Sequence, residues 1–472
     1  MKRWMWMGYG VIACWCLLVW YSGGRVEKGY REEMARLNDR EFTYLAIGKS
    51  KFERGFLHSE AVTHVSLQPD PCQDAVGLVI REKFRNDPIT GGGAIVSDIT
   101  LEFEDAKLQR LFQKASPDLP PLNLKGRHNF SGRSEYHGDS PAMVIPDDAG
   151  GKLNWKGMTL TAFSDRHEQS FQLKSGGLKL STDNMDMDLK DVSLHSTTRP
   201  TAIGLDTGEA EFKVAAFEID LNSDKLPMLK SITVNDMLAS SRLDLRSGKA
   251  FSEGTLKVGA MEMGKGRLGL SATVAFNKVD TEAMKELMEA GRKSGRTCHP
   301  DTGRLLAALG AIFDGEAELQ LKQLDMKIDG KELHMDGVIK GLDFPAGLAE
   351  RGVQALTDSS SFNGVDLQMK VVTNEAMLMG DTGEVTPRQL TDFRQKALSS
   401  GVFQQAGDRF VSNLAFRDGQ LTLNGVPWSE LFPSRPSSFP GFPGDTLEDG
   451  DLTGNDPEMP VDSEEADPAS IY

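Results

Sequence analysis

Cys72 and Cys298 are the only cysteines outside the apolar run near the N-terminus, which holds Cys14 and Cys16. In an oxidising compartment two such thiols pair. A bridge needs Cα atoms within about 7 Å of one another, a condition that sequence does not settle, so the paired and the free state both stay open. Met185/Met187, Met261/Met263 and Met377/Met379 each place two thioethers on one strand face. Thioethers suit Cu(I), but no His or Cys joins them, and they sit at the buried phase of the alternation, where Met fills core. The eight histidines are scattered. His58 and His64 share strand parity, and His128 and His137 flank a polar loop, yet none has the spacing of a metal site, so surface or satisfied histidines are expected. Gly91-Gly92-Gly93 offers backbone amides to an anion, but no lysine follows and a strand comes next, which makes it a turn. There is no Gly-x-Ser-x-Gly elbow, Walker loop or His-Glu-x-x-His. No catalytic, cofactor-binding or metal-binding residue is therefore assigned, no cofactor is expected, and the chain reads as a non-enzyme.

The elements that would position these side chains are mostly strands. Between residues 41 and 430 apolar residues recur two apart, as in Gly177-Leu178-Lys179-Leu180 and in Leu256 and Val258 after Gly254. That spacing puts the apolar side chains on one face of a strand and the charged ones on the other. Turn signals separate the runs at Ser247-Gly248, Asp329-Gly330, Asp418-Gly419 and Asn424-Gly425. The Asp329-Gly330 pair predicts a hairpin joining Leu324, Met326 and Ile328 to Leu333 and Met335. Residues 208–221 and 315–328 both begin Gly-Glu-Ala-Glu, and both slip phase by one residue at the same place. A β-bulge absorbs such a slip and bends the strand, so related, curved strands are expected. Gly254 to Met263 slips in a similar way. Helical spacing appears at 105–115, at 280–291 behind an Asp280 cap, at 304–313, at 344–356 and at 387–403, where Pro387 fits a first helical position.

The fold class expected is α+β, predominantly β: a large, curved, mostly antiparallel sheet with one wet face and several packing helices. The body, 41–430, is read as one β-rich domain, or two subdomains split near 230–280.

The 472-residue chain has 53 basic and 69 acidic residues and a formal charge of −16. That balance argues against nucleic acid as a partner. Ten of the acidic residues lie in 445–472, which has no Lys or Arg, so residues 1–444 carry only −6. The Pro-rich, acidic stretch 431–472 has few apolar side chains and is expected to be disordered. At the other end, Trp4 to Gly24 has no formal charge and follows Lys2 and Arg3. As a helix it is about 31 Å long, close to the hydrocarbon thickness of a bilayer. Residues 1–24 are thus expected to be a membrane-spanning anchor with the N-terminus cytoplasmic, 25–40 a polar helical connector and the rest periplasmic. A cleaved signal peptide ending at Ser22-Gly23-Gly24 and a lipoprotein box at Val11-Ile12-Ala13-Cys14 are the competing readings.

The order of Tyr21-Ser22-Gly23, Phe52-Glu53-Arg54-Gly55-Phe56-Leu57-His58-Ser59, Trp155-Lys156-Gly157, Phe276-Asn277-Lys278-Val279-Asp280 and Asp418-Gly419-Gln420-Leu421-Thr422-Leu423-Asn424-Gly425 resembles the YdgA-like family of bacterial envelope proteins, a family of unknown function. The resemblance covers the chain up to Trp428. It departs at Asp87-Pro88-Ile89-Thr90-Gly91-Gly92-Gly93, where the family often has His-Gly-Pro, and in the extra acidic tail. It implies an inner-membrane anchor and a periplasmic β-rich domain, and it supplies no catalytic residue. The function expected is that of an envelope protein held in the inner membrane through residues 4–24, binding a lipid or a protein segment on an apolar sheet face. An envelope-polymer hydrolase with a paired-carboxylate site and a scaffold recruiting a partner through the acidic tail are the alternatives.

Overall fold

A computed structural model of the chain describes residues 2–39, 45–68, 70–115, 122–146, 151–221, 231–264, 266–298, 302–313, 316–341, 365–378, 387–417 and 419–431. The predicted helix at 344–356 and the acidic tail lie outside the described residues. Among the described residues the alternating runs form twenty-two strands of one sheet. In chain order these begin with β1 (Leu45–Glu53), β2 (His58–Leu67), β3 (Val76–Arg85), β4 (Ala94–Phe103), β5 (Asn123–Asn129), β6 (Ser134–Ser140), β7 (Met143–Pro146), β8 (Lys152–Trp155) and β9 (Met158–Ser164). The long central strands are β10 (Gln169–Ser181), β11 (Met185–Arg199), β12 (Thr207–Leu221), β13 (Ser231–Arg246), β14 (Lys249–Met263) and β15 (Gly266–Asp280). The sheet is completed by β16 (Glu318–Ile328), β17 (Lys331–Lys340), β18 (Asp366–Asn374), β19 (Gln404–Ala406), β20 (Arg409–Arg417), β21 (Gln420–Leu423) and β22 (Val426–Pro427).

The ladders are antiparallel throughout, and sequence neighbours pair almost everywhere. The departures are local. Strand β9 lies between β6 and β10, β8 continues along β10 beyond β9 with β7 outside it, and β19 flanks the start of β20. The Asp329-Gly330 hairpin forms in the expected register, with Met326 opposite Leu333 and Leu324 opposite Met335. Both turn residues adopt positive φ, 48° and 83°, the geometry that matches strand twist. The ladders run unbroken through β13, β14 and β15, where the sequence suggests a split into subdomains.

The phase slips have two structural solutions. In β16 the slip is a bulge: Leu321 and Leu324 pair with Gly337 and Met335, so two residues face one. In β12 it is not a bulge. Val214 and Ala216 pair with Val192 and Lys190 on one side and with Met237 and Asn235 on the other, so three strands skip one position together. This crease runs through Gly176, Asp191, Ala215, Asp236 and Gly259, and β14 against β15 absorbs it as a bulge between Val258 and Met261. Asp191 and Asp236 take φ of 47° and 54° in it. Aspartate tolerates that left-handed conformation better than most residues.

Seven helices occur among the described residues. Helix α1 (Lys2–Asp39) is continuous across both the expected anchor and the expected connector. The others are α2 (Ala106–Ala115), α3 (Thr281–Ser294), α4 (Thr302–Phe313), α5 (Glu375–Leu378), α6 (Pro387–Ser399) and α7 (Trp428–Leu431). Asp280 caps α3 by accepting from the amides of Glu282 and Ala283. Two apolar cores form beneath helices. Under α3 and α4 lie Leu205, Ala250, Val279 and Ala317, packed with Met284 and Ile312. Under α1 lie Ala61, Phe84 and Ile95, packed with Val26.

The membrane-spanning expectation for residues 4–24 does not carry over unchanged. Among the described residues no helix is long and apolar enough to cross a membrane. The second half of the run also touches the rest of the fold. Val19 and Ser22 are fully buried against the rest of the fold, and the Trp15 indole donates to the Asp87 carboxylate at 3.3 Å.

Candidate functional site

The site is built by register. From β9 to β18 one transverse row of opposed residues reads Leu160, Leu173, Leu194, Phe212, Ala239, Leu256, Ala272, Leu324, Met335 and Val371. A parallel row on the same face reads Val192, Val214, Met237, Val258, Leu270, Met326 and Leu333. Beyond the crease the face continues with Leu189, Phe217, Val234, Met261, Leu268 and Ile328. The phase slips are what keep these rows on one side: without them each long strand would turn its apolar set over halfway along.

Burial on this face is uneven. Ala250, Val279 and Phe276 are covered by α3 and α4, and Phe52, Ala61 and Phe84 by α1. Between these flanks most side chains are only half-buried, and Leu256 and Met263 are each 42% exposed. The methionines of the Met-x-Met pairs at 185/187 and 261/263 belong to this apolar field. Among the described residues no cluster of three or more His, Cys, Asp and Glu side chains could hold a metal ion.

The opposite face is charged and largely self-paired. Lys190 donates to Glu218 at 2.6 Å, and Lys156 to Asp188 at 2.9 Å. Glu318 accepts from Lys278 at 3.1 Å and lies 3.3 Å from Lys340, so one carboxylate links three strands. These bonds hold its carboxyl below the usual range, the Lys278 bond first, although burial acts against them. On the same side, β16 to β18 and β20 enclose a hollow of about 870 Å³ lined by Gln320, Lys322, Asp336, Gln368 and Arg417. Two of its cations are partnered: Arg417 donates to Asp366 at 2.7 Å, and Lys322 pairs with Glu253.

The first row continues through the N-terminal strands as Phe52, Ala61, Glu82, Ile99, Leu124 and Gly138, reaching Leu160. Glu82 is the only charged residue in it. The buried Ser97 hydroxyl donates to Glu82 Oε1 at 2.6 Å, and His128 Nε2 lies 3.3 Å from the same oxygen. On its other side His128 Nδ1 is 3.0 Å from Ser134 Oγ. The imidazole is enclosed by Phe84 and Tyr136, with ring centroids 5.6 and 5.5 Å away. Gly126 lets Ser97 and His128 meet, because a Cβ there would strike both side chains. An imidazole bridging a hydroxyl and a carboxylate is the arrangement that general-base chemistry requires. The sequence reading missed this cluster. The signal was present as polar residues in apolar phase, Glu82 between Ile80 and Phe84 and Ser97 between Ile95 and Ile99.

The other sequence candidates fall in separate places. Cys72 and Cys298 are joined by a disulfide, tying the β2–β3 connection to the segment after α3. His64 Nδ1 lies 2.5 Å from Glu104, His334 Nδ1 lies 2.5 Å from Asp325, and His58 and His137 are exposed. Gly91 to Gly93 form a turn closed by the Gly93 amide donating to the Pro88 carbonyl at 2.8 Å.

The comparison with known families gives one result. Residues 1–430 match the family model described as "Bacterial protein of unknown function (DUF945)". No curated protein matches the chain.

Proposed function

We propose, for a chain that belongs to the DUF945 family of bacterial proteins of unknown function, a non-enzymatic envelope protein that holds a lipid acyl chain against the apolar face of its sheet. The finer placement we propose within that family is among its YdgA-like envelope members. The observation that carries the reading is the field of half-buried apolar side chains from β9 to β18, with Leu256 and Met263 each 42% exposed. An acyl chain needs no hydrogen-bond partners, and the rows between Leu160 and Val371 offer none. A bound peptide would instead seek the backbone groups of an edge strand.

The disulfide supports both the address and the shape. Structural disulfides persist in oxidising compartments such as the periplasm. Strands β3 and β15 are ten steps apart in the ladder order, roughly 48 Å in a flat sheet. Cys72 lies four residues before β3 and Cys298 eighteen after β15, across α3, and their Cα atoms are 4.6 Å apart. A sheet curled over its apolar face, with α3 reaching across, brings them together, and such a curl shields a bound chain from water. The address also rests on the uncharged run from Trp4, which we place in the inner membrane with the sheet on the periplasmic side.

The test is purification of the full chain from membranes in mild detergent, followed by solvent extraction and by titration with cis-parinaric acid. Acyl lipid should co-purify, and Leu256→Asp with Phe212→Asp should remove it and weaken parinarate binding at least tenfold. An empty wild-type protein with no parinarate signal ends the proposal.

A second reading, hydrolysis, is favoured by one observation, the imidazole of His128 between Ser134 and Glu82. Ester hydrolysis lost in Ser134→Ala would carry it. Equal rates in wild type and variant would remove it.

A further inference from the structure

The largest exposed apolar side chains near α1 gather at one end of the sheet. Leu17 and Trp20 of α1 are 66% and 61% exposed, Ile89 in the β3–β4 connection 65%, and Phe56 in the β1–β2 turn 48%. Phe130, in the β5–β6 turn, is 38% exposed. Their neighbourhood is fixed by direct contacts. The Trp15 and Phe56 rings meet edge to face at 6.3 Å, and the Trp15 indole reaches Asp87, whose carboxylate also accepts from the Ile89 amide at 3.0 Å. Arg25 donates to the Phe130 carbonyl at 3.3 Å. Three separate hairpin ends and one helix therefore present apolar side chains together.

Two observations name the occupant. The helix that joins this end has no charge from Trp4 to Gly24, so the patch is continuous with the most apolar segment of the chain. Cations sit directly behind it. The Arg54 guanidinium donates to the Trp20 carbonyl at 2.5 Å and stacks over the Trp20 ring at 4.9 Å. Arg25 lies five residues further along α1. Aromatic and aliphatic tips backed by arginines match the step from acyl chains to phosphates at a bilayer surface. Asp87, the carboxylate within the patch, is taken by Trp15 and the Ile89 amide.

We infer that this end of the sheet is a membrane-docking surface, with Phe56, Ile89 and Phe130 dipping into an anionic phospholipid bilayer beside α1. The inference rests on the proposed membrane address and extends it: the helix head enters the bilayer, and the hairpin ends fix the sheet upright on its surface. Trp4 to Trp20 is about 26 Å of helix between two aromatic ends.

The experiment uses the full chain in vesicles of phosphatidylcholine and phosphatidylglycerol at a ratio of about three to one. Cys14→Ser and Cys16→Ser leave the disulfide intact, and single nitroxide labels are placed at Met7→Cys, Ile89→Cys and Asp183→Cys. Asp183 is exposed in the β10–β11 turn, at the opposite end of the sheet. Ile89 is exposed enough for a label to leave folding intact. The expected result is high oxygen and low nickel-chelate accessibility at positions 7 and 89, and the reverse at 183. A lipid-exposed label at 7 with a nickel-accessible label at 89 overturns the docking surface and leaves the anchor standing. The opposite pattern removes the anchor and keeps the surface, and nickel access at both removes both. A label at 89 shielded from both reagents means a protein partner covers the patch and also overturns the inference.

Discussion

Glu82 Oε1 lies 3.3 Å from His128 Nε2, and both side chains project from the apolar face of the sheet beneath α1. The carboxylate is tolerated there because Ser97 donates to it as well, and Ser97 is fully buried. Removing Glu82 takes away their shared acceptor and leaves Ser97 and His128 Nε2, 3.1 Å apart, only each other at that point. Glu82→Ala should therefore cost about 1–3 kcal/mol of unfolding free energy in urea titrations. Glu82→Leu with His128→Phe should cost less than the sum of the two single changes, because each single change strands a polar partner. Strict additivity would show that the two groups do not interact.

Acid stability should depend on Glu318. Hydrogen bonds from Lys278 first, and then from Lys340, hold its carboxyl below the ordinary glutamate value, against the effect of burial. A carboxyl lowered in the folded state adds stability above its unfolded pKa, and that stability is lost as pH falls through the folded value. The loss should therefore appear on acidification below about pH 4. Glu318→Gln should flatten the dependence of the urea midpoint in that window and leave its slope near pH 7 unchanged. A Glu318→Gln curve parallel to wild type from pH 3 to 7 would contradict the assignment.

The outline of the fold was legible because one strong rule governs it: side chains two apart share a face. Hairpins at Ser247-Gly248 and Asp329-Gly330 followed from residues that accept positive φ, and α3 from its Asp280 cap. The slip in residues 208–221 was visible but its solution was not. A bulge and a shared crease give the same phase change in a single strand, and only the neighbours distinguish them. The partner of Ala215 is Asp236 on one side and Asp191 on the other, a relation set by register. The Glu82, Ser97, His128 and Ser134 cluster draws on four strands, so no spacing along the chain announces it. The contact of α1 with the sheet was hidden for a similar reason. An uncharged helix looks the same whether lipid or protein covers it, and Val19 and Ser22 are covered by protein.

The crease supplies a backbone test. Asp236 holds φ at 54° in the middle of β13. A β-branched residue pays a larger steric penalty there than aspartate, and glycine pays none. Asp236→Val should destabilise by about 1–2 kcal/mol, whereas Asp236→Gly should be neutral within about 0.5 kcal/mol. Equal losses in both variants would mean that the aspartate side chain, not the backbone conformation, matters at this point.

The disulfide separates a covalent from a packing account of how the flanks of the sheet are joined. Cys72 and Cys298 are 226 residues apart in sequence, so the bond closes a very long loop of the unfolded chain. Its loss in Cys72→Ser with Cys298→Ser should cost about 2–5 kcal/mol in guanidinium titrations. The remaining cysteines, Cys14 and Cys16, are free thiols. Thiol counting on denatured, unreduced protein should accordingly find the two N-terminal sulfhydryls, with the other two appearing only after reduction. Four reactive thiols before reduction would break the covalent tie, and the curled sheet proposed for lipid binding would then depend on α3 and α4 alone. An intact bond whose removal leaves stability unchanged but lowers parinarate binding would assign it to shaping the apolar face, not to holding the fold.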